Sequence, residues 1–251
     1  MTSAASLRLE AMSKRFGALT VTDAVSLAVP AGELHAVIGP NGAGKTTLMH
    51  QVSGLVPSDA GRVLLGERDV TGLAMPERVR AGLARSFQIT SVLPDFSARA
   101  NVALAVQARS GTSFRFWGRA DDEADLNREA DRLLAEVGLD GRGHVAAGHL
   151  SHGENRALEL AIALATDPAV LLLDEPLAGT GHEEGRALIR LIASLKGRLT
   201  ILLIEHDMDA VFALADRVSV LVYGRVVATD TPEAIRADPE VRAAYLGDET
   251  V

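Results

Sequence analysis

The sequence contains no cysteine, which excludes a disulfide framework and thiolate chemistry and is compatible with a reducing compartment. Basic residues are outnumbered, with 25 Lys and Arg against 33 Asp and Glu and a formal net charge of −8. That balance argues against a dedicated nucleic-acid binder, which draws its affinity from neutralised phosphates. No apolar run approaches the length of a membrane span, and the opening Met1-Thr2-Ser3-Ala4-Ala5-Ser6 has neither the charged nor the apolar region of a signal peptide. Any work at a membrane is therefore expected to go through partners. Internal repeats and low-complexity segments are absent. What is present is a chain of 251 residues, 47% of them apolar, long enough for one large domain or two small lobes with a proper core.

One stretch organises the rest. Gly39-Pro40-Asn41-Gly42-Ala43-Gly44-Lys45-Thr46 fits G-x-x-x-x-G-K-[ST], the phosphate-binding P-loop. A polyphosphate needs many backbone N–H donors turned to one point, and glycines let the backbone curl that tightly. Lys45 is placed to put its ammonium on the β- and γ-phosphates, and Thr46 to give its hydroxyl to Mg²⁺. The apolar run 34–38 before the loop, interrupted by His35, reads as a buried strand. Residues 46–53 after it read as a helix whose N-terminal dipole favours an anion.

Residues 7–38 read as β structure, with Phe16-Gly17 between the first two strands; a lone Phe there is expected in the core. A turn at 57–61 precedes a strand at 62–65. Residues 75–83 read as a helix with Pro76 near its first turn; Arg85-Ser86-Phe87-Gln88 then leads into a loop at 91–96 that contains Pro94. From 97 to 165 the pattern becomes helical, at 101–108 and 121–137, with Leu126, Ala130, Leu133, Leu134 and Val137 on one face. Between these helices lies Phe114-Arg115-Phe116-Trp117, which holds the one Trp; ordinary packing is the favoured reading and contact with a partner or membrane surface the other. Ser151 reads as an N-cap, with Glu154 as its capping-box partner. The continuous apolar runs 170–173 and 199–204 are those of parallel strands covered on both faces. Helices are expected at 183–195, 208–214, 232–237 and 239–246, and a strand–turn–strand at 218–228. Strands alternating with helices around a P-loop imply a mostly parallel sheet, so the fold class is α/β.

Hydrolysis of ATP needs a carboxylate at a strand end to help hold Mg²⁺ and a base beside the γ-phosphate. Asp174-Glu175 follows an apolar strand, and adjacent residues leaving a strand point in different directions. Asp174 can face the metal while Glu175 faces the attacking water. His206 follows the next apolar strand and is a candidate γ-phosphate contact. His144, His149 and His152 have no cysteine or carboxylate cluster beside them to support metal binding.

The order of these motifs, P-loop, Gln88, 150–154, 171–175 and His206, resembles the ATP-binding subunit of ABC transporters over nearly the whole chain. The resemblance implies a P-loop NTPase domain spanning 1–251, with a RecA-like core, an antiparallel β lobe, a helical lobe at about 90–165 and a helical tail at about 232–251. It implies ATP bound with Mg²⁺ by Gly39, Pro40, Asn41, Gly42, Ala43, Gly44, Lys45, Thr46 and Thr47. Phe16 matches the aromatic that stacks on adenine, against its expected core place. Gln88 matches the residue that contacts Mg²⁺ and the attacking water, Asp174 the Mg²⁺ carboxylate, Glu175 the general base and His206 the γ-phosphate switch. Lys45, Gln88, Glu175 and His206 thus form the implied catalytic set, and Thr46, Gln88 and Asp174 the implied Mg²⁺ set. Ser151 and Gly153 match residues that reach the γ-phosphate held by the opposite subunit of a head-to-tail dimer.

Two departures stand out. His152 and Glu154 replace residues of the common L-S-G-G-Q loop, and Gly181 stands where the family often has an Asp that couples the two sites, so that role is not carried over. Leu150–Glu154, Asp174–Gly179, Ile204–Met208 and the ending Val-Arg-Ala-Ala-Tyr-Leu-Gly at 241–247 look like the ATPases of branched-chain amino acid importers. Urea-import and lipopolysaccharide-export ATPases share parts of the pattern, and a non-transport ABC ATPase acting on nucleic acid is the distant alternative. The implied partners are a second ATPase subunit, the same or a close relative, two transmembrane permease subunits and, indirectly, a periplasmic or extracellular binding protein, with no nucleic acid. The implied place is the cytoplasmic face of the cell membrane, held peripherally.

Overall fold

A computed structural model describes residues 7–86, 92–109, 120–239 and 241. Among the described residues there are two sheets. The first is antiparallel: β1 (Leu7–Phe16) turns at Gly17 into β2 (Leu19–Val29), and β4 (Ala60–Leu65) and β5 (Arg68–Asp69) follow on the other side in the order β2-β1-β4-β5. Its alternation is the reason it forms: Leu7, Leu9, Val25, Leu27 and Val29 are buried while Arg8, Ser26 and Ala28 face water.

The second sheet contains β3 (Leu34–Ile38), β6 (Leu83–Ser86), β7 (Val170–Asp174), β8 (Thr200–Ile204), β9 (Arg217–Val222) and β10 (Arg225–Asp230) in the order β10-β9-β3-β8-β7-β6. All its pairings are parallel except β9 with β10. Every residue of β3, β7 and β8 is buried, as a strand covered on both faces requires. Along β7 the side chains part by turn. Val170 and Leu172 pack with Leu48, Met49 and Val52 of α1 (Lys45–Ser53) and with the first sheet. Leu171 and Leu173 pack with α5 (His152–Ala165) and α6 (His182–Leu195). Each fully buried Leu is worth about 1.5–3 kcal/mol. The helix that opens at the P-loop is therefore clamped between two sheets.

The helical lobe comprises α3 (Ala98–Arg109), α4 (Ala120–Glu136) and α5. Ala130, Leu133, Leu134 and Val137 are buried against Val102, Val106 and Leu158, so the stripe read from the sequence is the packed face. Beyond β8, α7 (Met208–Leu214) and α8 (Pro232–Ala237) pack on Ala36, Ile38, Val218 and Val220. The segments 114–117 and most of 239–246 lie outside the described residues.

Two expectations are corrected. The helix expected at 75–83 is shorter: α2 is Met75–Arg80, and Leu83 starts β6. Gly82 at φ +98° ends the helix, and Leu83 and Ala84 then pair with Val170 and Leu171 in parallel register. Phe16 is not core. It ends β1 with 52% of its surface exposed, because β1 has already run past the first sheet's buried face.

Candidate active site

The sheet order β3-β8-β7 decides the site. It sets the ends of three strands side by side, with Val37 opposite Ile204 and Asp174 opposite Ile204. The P-loop leaves β3, His206 leaves β8, and Asp174-Glu175 closes β7. This is where ligands bind in open α/β sheets, at the carboxyl ends of the strands.

The loop is pinned by close backbone approach. A Cβ on Gly39 would overlap the Leu221 carbonyl oxygen, and one on Gly44, at φ +103°, would overlap that of Val21. Gly224 donates its N–H to the Ala43 carbonyl at 2.9 Å. Gly44 is the N-cap of α1, no side chain caps that end, and no acidic residue sits in its first turn. Its orphan N–H groups and positive dipole end are left for an anion. Lys45 curls back, its Nζ donating to the Gly39 carbonyl at 2.5 Å and the Pro40 carbonyl at 3.0 Å. Burial pushes this ammonium below the usual lysine range, against the pull of Glu175 and Asp174. Thr46 is exposed and Thr47 half-buried beside it.

Asp174 and Glu175 diverge as expected. Asp174 is 1% exposed, its Oδ2 2.7 Å from Arg85 Nη2. Burial pushes its carboxyl up, and Arg85 pulls it back down. Its Oδ1 is buried and accepts no hydrogen bond among the described residues. A buried carboxylate oxygen without a donor fits a hard divalent cation with oxygen ligands. Glu175 is half-buried, in the left-handed region at φ +48°, with its N–H bonded to the Ile204 carbonyl at 2.9 Å. The turn to positive φ takes Glu175 off the strand line at a cost of roughly 1–3 kcal/mol in backbone strain, and its charge acts on Lys45.

His206 is exposed, with Nδ1 3.4 Å from Glu205 Oε2. Phe16 carries the Lys14 ammonium 5.4 Å from its ring centroid, and Lys14 is itself held by Asp59 at 2.8 Å. Gln88 lies outside the described residues. Ser151 and Gly153 are not brought to the P-loop. Ser151 caps α5, accepting the Glu154 N–H at 3.2 Å while Glu154 Oε2 accepts the Ser151 N–H at 2.8 Å. Its hydroxyl donates to Glu184 Oε1 at 2.9 Å, and Gly153 packs on the same side chain. His152 Nε2 lies 3.2 Å from the Ala178 carbonyl.

Sequence reasoning missed two residues. Arg85 carries no assignment from the sequence, but β6 sets it opposite Leu172, one strand over from Asp174; its signal is the apolar pair Leu83-Ala84 after Gly82. Glu205 is completely buried, and its carboxylate collects the N–H groups of Leu177, His206 and Asp207. A charge placed directly after an apolar strand is the only hint of it in the sequence.

Comparison with known proteins gives the family of the chain. A family model described as "ABC transporter" matches residues 22–178, and one described as "Branched-chain amino acid ATP-binding cassette transporter" matches 225–251. The chain is 37% identical to the high-affinity branched-chain amino acid transport ATP-binding protein LivG of Salmonella typhimurium, over 96% of this chain and 98% of that one. It is 36% identical to the lipopolysaccharide export system ATP-binding protein LptB of Acidithiobacillus ferridurans, over 97% of each. Among solved structures it resembles a nucleotide-free ATP-binding cassette from an ABC transporter, with a TM-score of 0.85 and 28% identity over 97% of this chain and 100% of that one.

Proposed function

This chain belongs to the ABC transporter family as an ATP-binding subunit, and from that membership we propose that it hydrolyses ATP to power an importer of branched-chain amino acids. The observation that carries the hydrolytic part is the placing of the uncapped P-loop helix, buried Asp174 and half-buried Glu175 at the carboxyl ends of β3 and β7, the two strands that flank β8. The branch rests on the likeness of the whole chain to LivG and of residues 225–251 to the branched-chain group.

In this reading the N–H groups of 39–47 hold the phosphates, and Lys45 leaves the Gly39 and Pro40 carbonyls for the β- and γ-phosphates. Phe16 stacks on the adenine. Thr46 and Asp174, with Gln88, would hold Mg²⁺, which would supply positive charge to the phosphate oxygens. Glu175 takes a proton from the attacking water as its oxygen bonds to the γ-phosphorus, and the bond to the ADP oxygen breaks. His206 contacts the γ-phosphate. A general base contributes on the order of 10²–10⁴-fold.

The chain forms a single domain that pairs head to tail with a second copy or a close relative. Ser151 and Gly153 of each subunit reach the γ-phosphate held by the other. ATP closes the pair because it is contacted from both sides, and hydrolysis opens it; that difference in affinity drives the permease. The pair sits peripherally at the cytoplasmic face beneath two permease subunits, which receive cargo from a binding protein. No helix among the described residues is long and apolar enough to cross a membrane. The receiving groove lies between the lobes, near 88–101, where Val92 borders a cavity of about 120 Å³ with Val79, Leu83, Glu159 and Ile162.

The likeness to LptB favours one second reading, a lipid-export motor. Uptake of labelled leucine, isoleucine, valine and urea, in cells whose chromosomal copy carries Lys45→Ala and which lack related ATPases, separates them. Loss of branched-chain uptake alone supports the import reading. Loss of urea uptake alone changes the cargo. Unchanged uptake of all four contradicts import of these solutes.

A further inference from the structure

A serine hydroxyl has one proton to give, and in Ser151 it is already given. The Oγ accepts the Glu154 N–H at 3.2 Å, and the O–H donates to Glu184 Oε1 at 2.9 Å. Glu184 comes from the first turn of α6, where its Oε2 also lies 3.5 Å from the Gly181 N–H. Its side chain lies flat against the loop: a Cβ on Gly153 would meet its carboxyl carbon at 2.6 Å and its Cβ and Cγ at 2.8 Å. Any side chain at 153 would therefore force Glu184 to shift. Both residues border an open crevice of about 430 Å³ between α5 and α6. Among the described residues Glu184 forms no ion pair, and its carboxylate is held by the Ser151 hydroxyl and the Gly181 N–H at the positive end of α6.

We propose that Glu184 is a positioning residue that holds the Ser151 hydroxyl in the unpaired subunit and must release it before a second copy's γ-phosphate can be contacted, so that Glu184 sets the ATP concentration at which two copies pair. This rests on the head-to-tail reading above. Two anions cannot share the single Ser151 proton. A carboxylate that stays beside an arriving phosphate adds like-charge repulsion in a partly dry interface. The cost of breaking the Ser151–Glu184 bond, a charge-assisted one, is therefore charged to each closure. In return the hydroxyl is kept near its working place, and the empty 150–154 loop is kept from collecting other anions.

The test uses the whole chain with Glu175→Gln, which blocks turnover, and follows pairing against ATP concentration by sedimentation. Adding Glu184→Gln keeps the shape and removes the charge. It is expected to lower the ATP concentration for half-pairing by roughly three- to tenfold, since a neutral acceptor holds a hydroxyl about half as strongly. Adding Ser151→Ala as well is expected to erase that gain. With Glu175 intact, Glu184→Gln is expected to lower KM for ATP with kcat within about twofold, because only closure is eased. Pairing at unchanged or higher ATP concentration in Glu184→Gln overturns the inference while leaving the head-to-tail reading in place, as does a shift in melting temperature with no change in ATP dependence. A Glu175→Gln chain that stays monomeric at saturating ATP overturns that reading and this inference together.

Discussion

Glu205 Oε1 accepts the Leu177 N–H at 3.0 Å, and its Oε2 accepts the N–H groups of His206 at 2.8 Å and Asp207 at 3.2 Å. One buried carboxylate thus fixes the chain leaving β7 to the chain leaving β8, the two segments that carry Glu175 and His206. Hydrogen bonds to a charged group are each worth about 1.5–3 kcal/mol, and removing the acceptor strands buried donors. Glu205→Ala is expected to cost about 3 kcal/mol in urea unfolding and to lower ATP turnover at least tenfold. Normal turnover would mean that these segments hold their places without it.

Arg78 fixes the other end of the P-loop helix. It is 3% exposed and donates to the carbonyls of Gln51 and Val52 at 2.8 Å, Leu73 at 3.0 Å and Thr71 at 2.7 Å. The last carbonyls of α1 lack helical donors, and Arg78 supplies them. Arg78→Ala is expected to destabilise by roughly 3 kcal/mol. Arg78→Lys, which cannot fork to several carbonyls, is expected to recover less than half of that. Equal stability of the lysine variant and the wild type would rule out the forked cap.

Phe16 separates packing from ligand contact. With half its surface exposed, Phe16→Ala is expected to change unfolding free energy by less than about 1 kcal/mol, against about 3–5 for a buried Phe. It is expected to raise KM for ATP roughly tenfold, from the lost stacking. A large stability loss with unchanged KM would restore the core reading.

His35 predicts a pH dependence. It is fully buried in β3, with Nδ1 3.0 Å from Glu33 Oε1 and Nε2 2.9 Å from Ser219 Oγ. A neutral imidazole donating to Glu33 and accepting the Ser219 hydroxyl satisfies both contacts. Burial pushes the imidazole down from 6.5 to about 4, and Arg217 adds to the shift. The unfolded chain therefore binds a proton that the folded chain refuses. Its stabilising contribution is whole above pH 6.5, shrinks as pH falls through the window, and levels off below about 4, a loss of roughly 3 kcal/mol at most. Glu33, pushed up by burial, works in the opposite direction. The difference between wild type and His35→Gln isolates the histidine term. A pH-independent difference would contradict it.

Much of this was legible because it is local. The P-loop spacing, the Ser151 capping box and the apolar runs before Asp174 and His206 are patterns within a few residues, and the structure places them as read. The failures are non-local. Residues 75–83 read as one helix because Leu83 and Ala84 continue an apolar pattern, and only their pairing with β7 makes them a strand. The Arg85–Asp174 pair spans 89 positions and Glu184–Ser151 spans 33. Nothing in either neighbourhood announces the other. Phe16 misled because an aromatic in a β region is usually covered, whereas here β1 extends beyond its cover.

The most direct single measurement is steady-state ATP hydrolysis by the purified chain and by Glu175→Gln, with bound nucleotide quantified in both. The expected result is a fall in turnover of at least about 100-fold in the variant with ATP still bound. Turnover at the wild-type rate, or a variant that no longer retains ATP, would contradict the assignment of Glu175 as the base beside this P-loop.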